Sequence, residues 1–221
     1  MKLSQETIKV LRNFASINPS ILVRPGSLLS TISYPGKTVM ARATVPDAFE
    51  TEFAIYDLSR FLNALSLLGD PDLTFTAKSV SAVSEGRALR YALAEPSMIV
   101  AAPTKDIAMP PTYVEVDLPE AVLKAATSAL RVLGLNEIAV TGDGESVFLQ
   151  AVDAKGTTND DYSVKVDADP PGKKFRALFK IDNLKLLPSA YTVKLTEKGI
   201  SHWVGEAAEY FISVEKDSKF E

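Results

Sequence analysis

The sequence predicts an α+β fold of two similar units in tandem, each combining antiparallel strands with two helices. Three observations point there. Short strand-like runs broken by turn residues fill most of the 221 residues, and only four segments have helical periodicity. Two segments of the first half align without gaps to two of the second. Between the halves, residues 103–111 hold three prolines, which suits an extended connector better than a packed element. The expected organisation is therefore 1–105, a connector at 106–117, and 118–221.

In chain order, the first helix is expected at 4–17, capped by Ser4, with Ile8, Leu11, Phe14 and Ala15 inward. Gln5, Lys9, Arg12 and Ser16 then share the far face at spacings of four, three and four. Residues 20–49 read as four short strands broken at Pro25-Gly26, Pro35-Gly36 and Pro46-Asp47. An alternating run at 53–56 leads into the second helix, capped by Asp57, with Leu58, Phe61, Leu62 and Leu65 inward and Arg60, Asn63, Ala64 and Leu67 outward. Further strands are expected at 72–78, 86–93 and 98–102.

The third helix spans 118–133, with Pro119 in its first turn. Val122, Leu123, Ala126, Leu130 and Leu133 can be buried, leaving Lys124, Thr127, Ser128 and Arg131 on the far side. Strands follow near 135–141, 146–154, 162–168 and 175–181, and again near 190–196, 200–205 and 208–215. A short fourth helix, begun by Asp182 and stopped by Pro188, carries Lys185.

The repeat rests on register. Residues 53–62 align with 178–187 at an offset of 125, matching Asp57 to Asp182 and Arg60 to Lys185. The first and third helices align at an offset of 115, matching Lys9 to Lys124. Any two α+β domains that share a cap followed by leucines would give part of this pattern.

Composition removes several function classes. No apolar run reaches 18 residues, and the N-terminal segment lacks the apolar core of a signal peptide. Cysteine is absent, so disulfides and thiolate metal sites are excluded, in keeping with a reducing cytoplasm. The sole histidine, His202, precedes Trp203 in an expected strand and has no companions for a triad or metal site. Asn159-Asp160-Asp161 and Asp167-Ala168-Asp169 lack the spacing of a known cation loop, and Gly142-Asp143-Gly144 reads as a turn. No glycine-rich phosphate loop with lysine occurs. No catalytic residue, cofactor or metal is expected.

Charge is segregated. The net charge is −4, yet the helix cations Lys9, Arg12, Arg60, Lys124, Arg131 and Lys185 face only the helix acids Glu6, Asp57, Glu120 and Asp182, all near N-terminal ends. Acids there are explained by capping and the helix dipole. The dipole also accounts for Arg131 and Arg12, but poorly for the mid-helix Lys9, Lys124 and Arg60. The remaining acid lies in strands and loops. Such an arrangement holds a polyanion against one surface through phosphate contacts that carry no sequence information. The other reading is a β-rich, non-catalytic virion or assembly protein whose basic helices are incidental.

Three stretches, MKLSQETIKVLRNFASIN, AIYDLSRFLNALSLL and LKLLPSAYTVKL, resemble the sliding clamps of T-even-like bacteriophages, DNA polymerase processivity factors similar in fold to proliferating cell nuclear antigen. The resemblance runs end to end and is thinnest across 70–175. It implies two clamp domains per chain, three chains in a head-to-tail ring, helices lining the hole and sheets outside. It further implies duplex DNA as a non-specific, encircled partner, a replicative polymerase tethered by a short peptide, an ATP-dependent clamp loader, late transcription factors, and the cytoplasm of an infected bacterium. Lys9, Arg12, Arg60, Lys124, Arg131 and Lys185 become the DNA-facing set. Ile107, Met109, Pro110 and Pro111 of the connector become the partner-docking strip.

Overall fold

The structure is a computed structural model that describes residues 1–156, 160–168 and 171–221. Two compact units divide the chain, Met1–Asp106 and Ile107–Glu221.

In the first unit, α1 (Gln5–Ile17) starts where Ser4 Oγ accepts the Thr7 N–H at 3.1 Å. Its buried face is Thr7, Val10, Leu11, Phe14 and Ile17, turned slightly from the expected face, so Ile8 and Ala15 are only half-buried. α2 (Leu58–Ser66) is capped by Asp57, which accepts the Arg60 N–H at 2.8 Å, and buries Leu58, Phe61, Leu62 and Leu65 as expected. The two helices pack on each other, and α1 also lies against β2 (Gly26–Ile32) and β3 (Val39–Phe49).

Pro46 does not end β3, contrary to the expected break. Pairing runs from Ile32↔Met40 to Leu28↔Thr44 and resumes at Gly26↔Phe49, so Pro46 sits in a bulge that needs no N–H from it. β1 (Ile21–Val23) pairs with β4 (Phe53–Ile55), and β5 (Asp72–Phe75), β6 (Ser79–Ser84) and β7 (Arg87–Ala92) form a meander. The expected strand at 72–78 stops early because the Thr76 hydroxyl bonds both the carbonyl and the N–H of Ser79, closing a turn. The serine-rich β6 was not anticipated. The strand expected at 98–102 is absent; a single 3₁₀ turn at Pro96–Met98 leads into irregular chain.

In the second unit, β8 (Val114–Leu118) pairs with β13 (Tyr191–Leu195), which pairs with β14 (Ile200–Val204) and that with β15 (Glu209–Ser213). β8 corrects the reading of 106–117 as connector throughout: Val116 and Leu118 are core residues. A second sheet runs β11 (Tyr162–Val166), β10 (Val147–Val152), β9 (Glu137–Asp143), β12 (Lys174–Lys180), β16 (Lys219–Phe220). Across β9 and β12, a Cβ at Gly142 would meet the Phe175 ring at 2.3 Å, so only glycine fits there. α3 (Glu120–Leu133) covers β9, β10 and β11 with Leu123, Ala126 and Leu130. It ends at Gly134 in the left-handed conformation, φ 67°, leaving Leu133 exposed where burial was expected.

The fourth helix does not form. Ile181–Asn183 makes one 3₁₀ turn, and the chain then runs irregularly to Ala190. Two buried tyrosines take the backbone groups a helix would use: the Leu187 N–H donates to Tyr210 Oη at 3.0 Å, and Tyr191 Oη donates to the Leu187 carbonyl at 2.6 Å. Pro188 further disfavours a helical Leu187. Among its described residues, the second unit therefore has one α-helix, not two. Burial raises both phenols, Tyr210 to about 12, so both stay protonated at neutral pH.

The α1 cap has a second layer. Asp47 Oδ2 accepts from the Ser4 N–H and hydroxyl, each at 2.8 Å. Burial pushes the Asp47 carboxyl up, but hydrogen bonds from Thr7 and Ser4 prevail and hold it below the usual value. A depressed carboxylate stabilises the fold above the unfolded pKa, ~3.9, and the contribution is lost as pH falls through the folded value. Asp47→Asn should cost roughly 0.5–1 kcal/mol at pH 7 after solvent screening. Thermal melts of both proteins should converge as pH drops below about 4.

Candidate nucleic-acid interface

Burying the apolar stripe of each helix fixes what the opposite stripe presents. On α1 that stripe holds the exposed Gln5, Lys9, Arg12 and Ser16. On α2 it holds Arg60 and Asn63, and on α3 Lys124, Ser128 and Arg131, all exposed. Three hydroxyls on or beside these stripes are turned to their own helices. Ser16 and Ser66 donate to the carbonyls three residues back, and Thr127 to the Leu123 carbonyl at 2.8 Å. The charged donors left for a ligand are the cations.

These cations are unspent. Among the described residues, ion pairs join Lys2 to Asp70, Arg42 to Asp106, Arg87 to Glu85, Lys180 to Glu215, Lys194 to Glu115 and His202 to Glu209. None involves Lys9, Arg12, Arg60, Lys124 or Arg131. The helix acids are placed as capping demands: Asp57 closes α2, and Glu6 and Glu120 lie in first turns.

The units differ in what flanks the cations. In the first, Arg12 borders a narrow cleft of about 100 Å³ between α1 and α2, also lined by Leu62, Leu65 and Asp70. In the second, a wider groove of about 350 Å³ separates Lys124 and Arg131 from Leu184, Leu187 and Pro188, where the second helix was expected. Lys185 is exposed on that irregular stretch and not on a helix face.

The other candidate positions are more dispersed. Ile107, Met109 and Pro110 are half-buried and Pro111 exposed, in chain that is neither helix nor strand. His202 pairs with Glu209 at 2.7 Å and stacks on Phe211 at 4.4 Å. Asp143 accepts the Ser146 and Glu145 N–H groups, and these bonds hold its carboxyl below the usual value, so it is a turn residue. Asn159 and Asp169 lie outside the described residues. Sequence reasoning passed over Arg42, whose signal was present: one arginine inside the apolar run 39–43, all of it buried.

Two units of antiparallel strands, two helices in the first and one in the second, with helix cations that no ion pair takes up among the described residues, suit a clamp, and comparison with known proteins agrees. Residues 3–100 match a family described as DNA polymerase processivity factor, and 115–216 one described as gp45 sliding clamp, C terminal. The sliding clamp of Vibrio phage KVP40 is 34% identical over 97% of this chain and 99% of its own; that of Escherichia phage RB69 is 30% identical over 99% and 98%. Among solved structures, the A. fulgidus proliferating cell nuclear antigen bound to the C-terminal region of FEN-1 shares the fold, with a TM-score of 0.73 at 16% identity over 99% of this chain and 98% of that one. The β subunit of DNA polymerase III from Borrelia burgdorferi gives 0.71 at 11% identity, over 98% of this chain and 64% of that one. The chain belongs to the phage sliding-clamp family of DNA polymerase processivity factors. The virion-assembly reading has no counterpart among these relatives.

Exposed, unpaired lysines react differently from paired ones. The hydrogen bond and charge of Asp70 raise the Lys2 ammonium pKa, and Glu215 does the same for Lys180. A raised pKa leaves less free amine at a given pH. Acylation at pH 8 followed by peptide mass mapping should therefore label Lys2 faster in Asp70→Asn, and Lys180 faster in Glu215→Gln, than in the parent chain.

Proposed function

We propose that three copies of this chain close into a ring around duplex DNA and tether the replicative polymerase of an infecting phage to its template. The observation that carries this is the set of five helix cations, Lys9, Arg12, Arg60, Lys124 and Arg131, exposed and in no ion pair among the described residues of a chain of net charge −4. Lys185 joins them from its irregular stretch. Their ligand is the phosphate backbone. Side chains that reach phosphates without reading base edges give loose, salt-sensitive contacts, which permit sliding.

Head-to-tail closure requires an open sheet edge at each end of the chain. Such edges exist: among the described residues, β7 and β11 each pair on one side only. Partner peptides dock on the strip of Ile107, Met109, Pro110 and Pro111, where a methionine gives an adaptable apolar surface. An ATP-dependent loader opens and places the ring, since this sequence holds no phosphate-binding loop of its own. Late transcription factors share the docking strip, and the setting is the host cytoplasm.

Light scattering should give three times the 23.9 kDa chain, about 72 kDa, at working concentration. The Lys9→Glu, Arg12→Glu, Lys124→Glu triple variant should keep that mass yet lose stimulation of processive synthesis on a primed circle. Normal stimulation by the variant would remove the electrostatic argument while leaving the family assignment intact.

A further inference from the structure

The chain from Ile99 to Asp106 is neither helix nor strand, so no ladder ties it down. Side chains of the first unit do so instead. Asn18, at the end of α1, donates from Nδ2 to the Val100 carbonyl at 3.2 Å. Arg24, after β1, donates from Nη2 to the Ala102 carbonyl at 3.2 Å. Arg42, in β3, donates from Nη2 to the Lys105 carbonyl at 2.8 Å and from Nη1 to the Asp106 carboxylate at 2.7 Å.

These three fastenings are unequal. Asn18 is buried, and its Oδ1 is engaged by the Ser20 N–H and hydroxyl. It is a rigid anchor, but a neutral one. Arg42 makes the shortest bonds and the only ion pair of the three. Its side chain is 9% exposed, whereas that of Asp106 is 95% exposed. The guanidinium is therefore fixed by the sheet, and the carboxylate comes to it from solvent. A planar fork grips two successive residues at once, which a lysine ammonium cannot do with the same geometry. The grip falls on the last two residues before Ile107.

We infer that Arg42 is a positioning residue for partner docking: by holding Lys105 and Asp106 it fixes the point from which the strip of Ile107, Met109, Pro110 and Pro111 departs. The inference rests on the docking reading given above. A strip already ordered does not have to be ordered by its partner, so the latch contributes affinity without touching the partner.

The test uses Arg42→Met, Arg42→Lys and Asp106→Asn in the full chain. Arg42→Met keeps a long side chain in the buried site and removes the fork. Asp106→Asn removes only the charge of an exposed group, so it folds even where Arg42→Met does not. Two quantities are read: amide hydrogen exchange across residues 100–112, and the clamp concentration giving half-maximal synthesis by the phage polymerase with its loader on a primed circle. Arg42→Met should speed exchange and raise the half-maximal concentration about tenfold, with the plateau at saturating clamp and the assembled mass unchanged. Asp106→Asn should raise it about threefold, and Arg42→Lys should fall between wild type and Arg42→Met. Unchanged exchange in both Arg42→Met and Asp106→Asn overturns the latch. Faster exchange with an unchanged half-maximal concentration overturns the positioning role. Met109→Glu separates the two readings: if it leaves the half-maximal concentration unchanged, the docking strip itself is wrong, whatever Arg42 does.

Discussion

A cation on a helix face that no carboxylate pairs with keeps its field for something outside the chain. The rest of this molecule can be understood as the means of keeping five such cations unpaired. The chain carries 28 acids against 24 strong bases, so acidic partners are not scarce. Here the acids on the helices are confined to caps and first turns, where they complement the helix dipole. Other cations, such as Lys180 and Lys194, are paired within strands and loops. The bulk negative charge then repels a polyanion from most of the surface, while the helix faces attract it.

The two units solve the same packing problem differently. In the first, α1 and α2 pack together and leave a narrow cleft between them. In the second, α3 covers its sheet alone, and two tyrosines hold the Leu187 backbone in the segment that would have been its partner. The two tyrosine hydroxyls satisfy the buried N–H and carbonyl of Leu187 that no helix ladder takes up. The cost is a wider groove beside Lys124 and Arg131. The cationic stripe survives on α3, so the electrostatic role does not depend on a second helix in that unit.

What could be read from the sequence follows from where its information is local. α1, α2 and α3 were legible because a cap or an early proline precedes leucines at helical spacing, and the exposed cations follow as the complement of that stripe. The hairpins of the second unit were legible because turn residues separate alternating runs. The fourth helix was misread because Asp182 and three leucines imitate α2, while Tyr191 and Tyr210, which decide the outcome, lie outside the segment. β6 was missed because serines at alternate positions looked like turn, and β8 because its neighbours are prolines. Of the candidate site, the cationic stripes were visible and the fastening of Ile99–Asp106 was not: Asn18, Arg24 and Arg42 reach it across 63 to 82 residues of sequence. Arg42 within an apolar run was the one local trace of it.

The central claim is that association with DNA is topological, with the helix cations easing passage and not gripping. The most direct measurement is retention on DNA before and after cutting. Clamp is loaded with loader and ATP onto nicked circular plasmid, separated from free protein by gel filtration, and the plasmid is then linearised at one site. The account predicts co-elution with the circle and release within minutes of linearisation. Clamp that stays bound to the linear product, or that binds short linear duplex equally well without a loader, would contradict it.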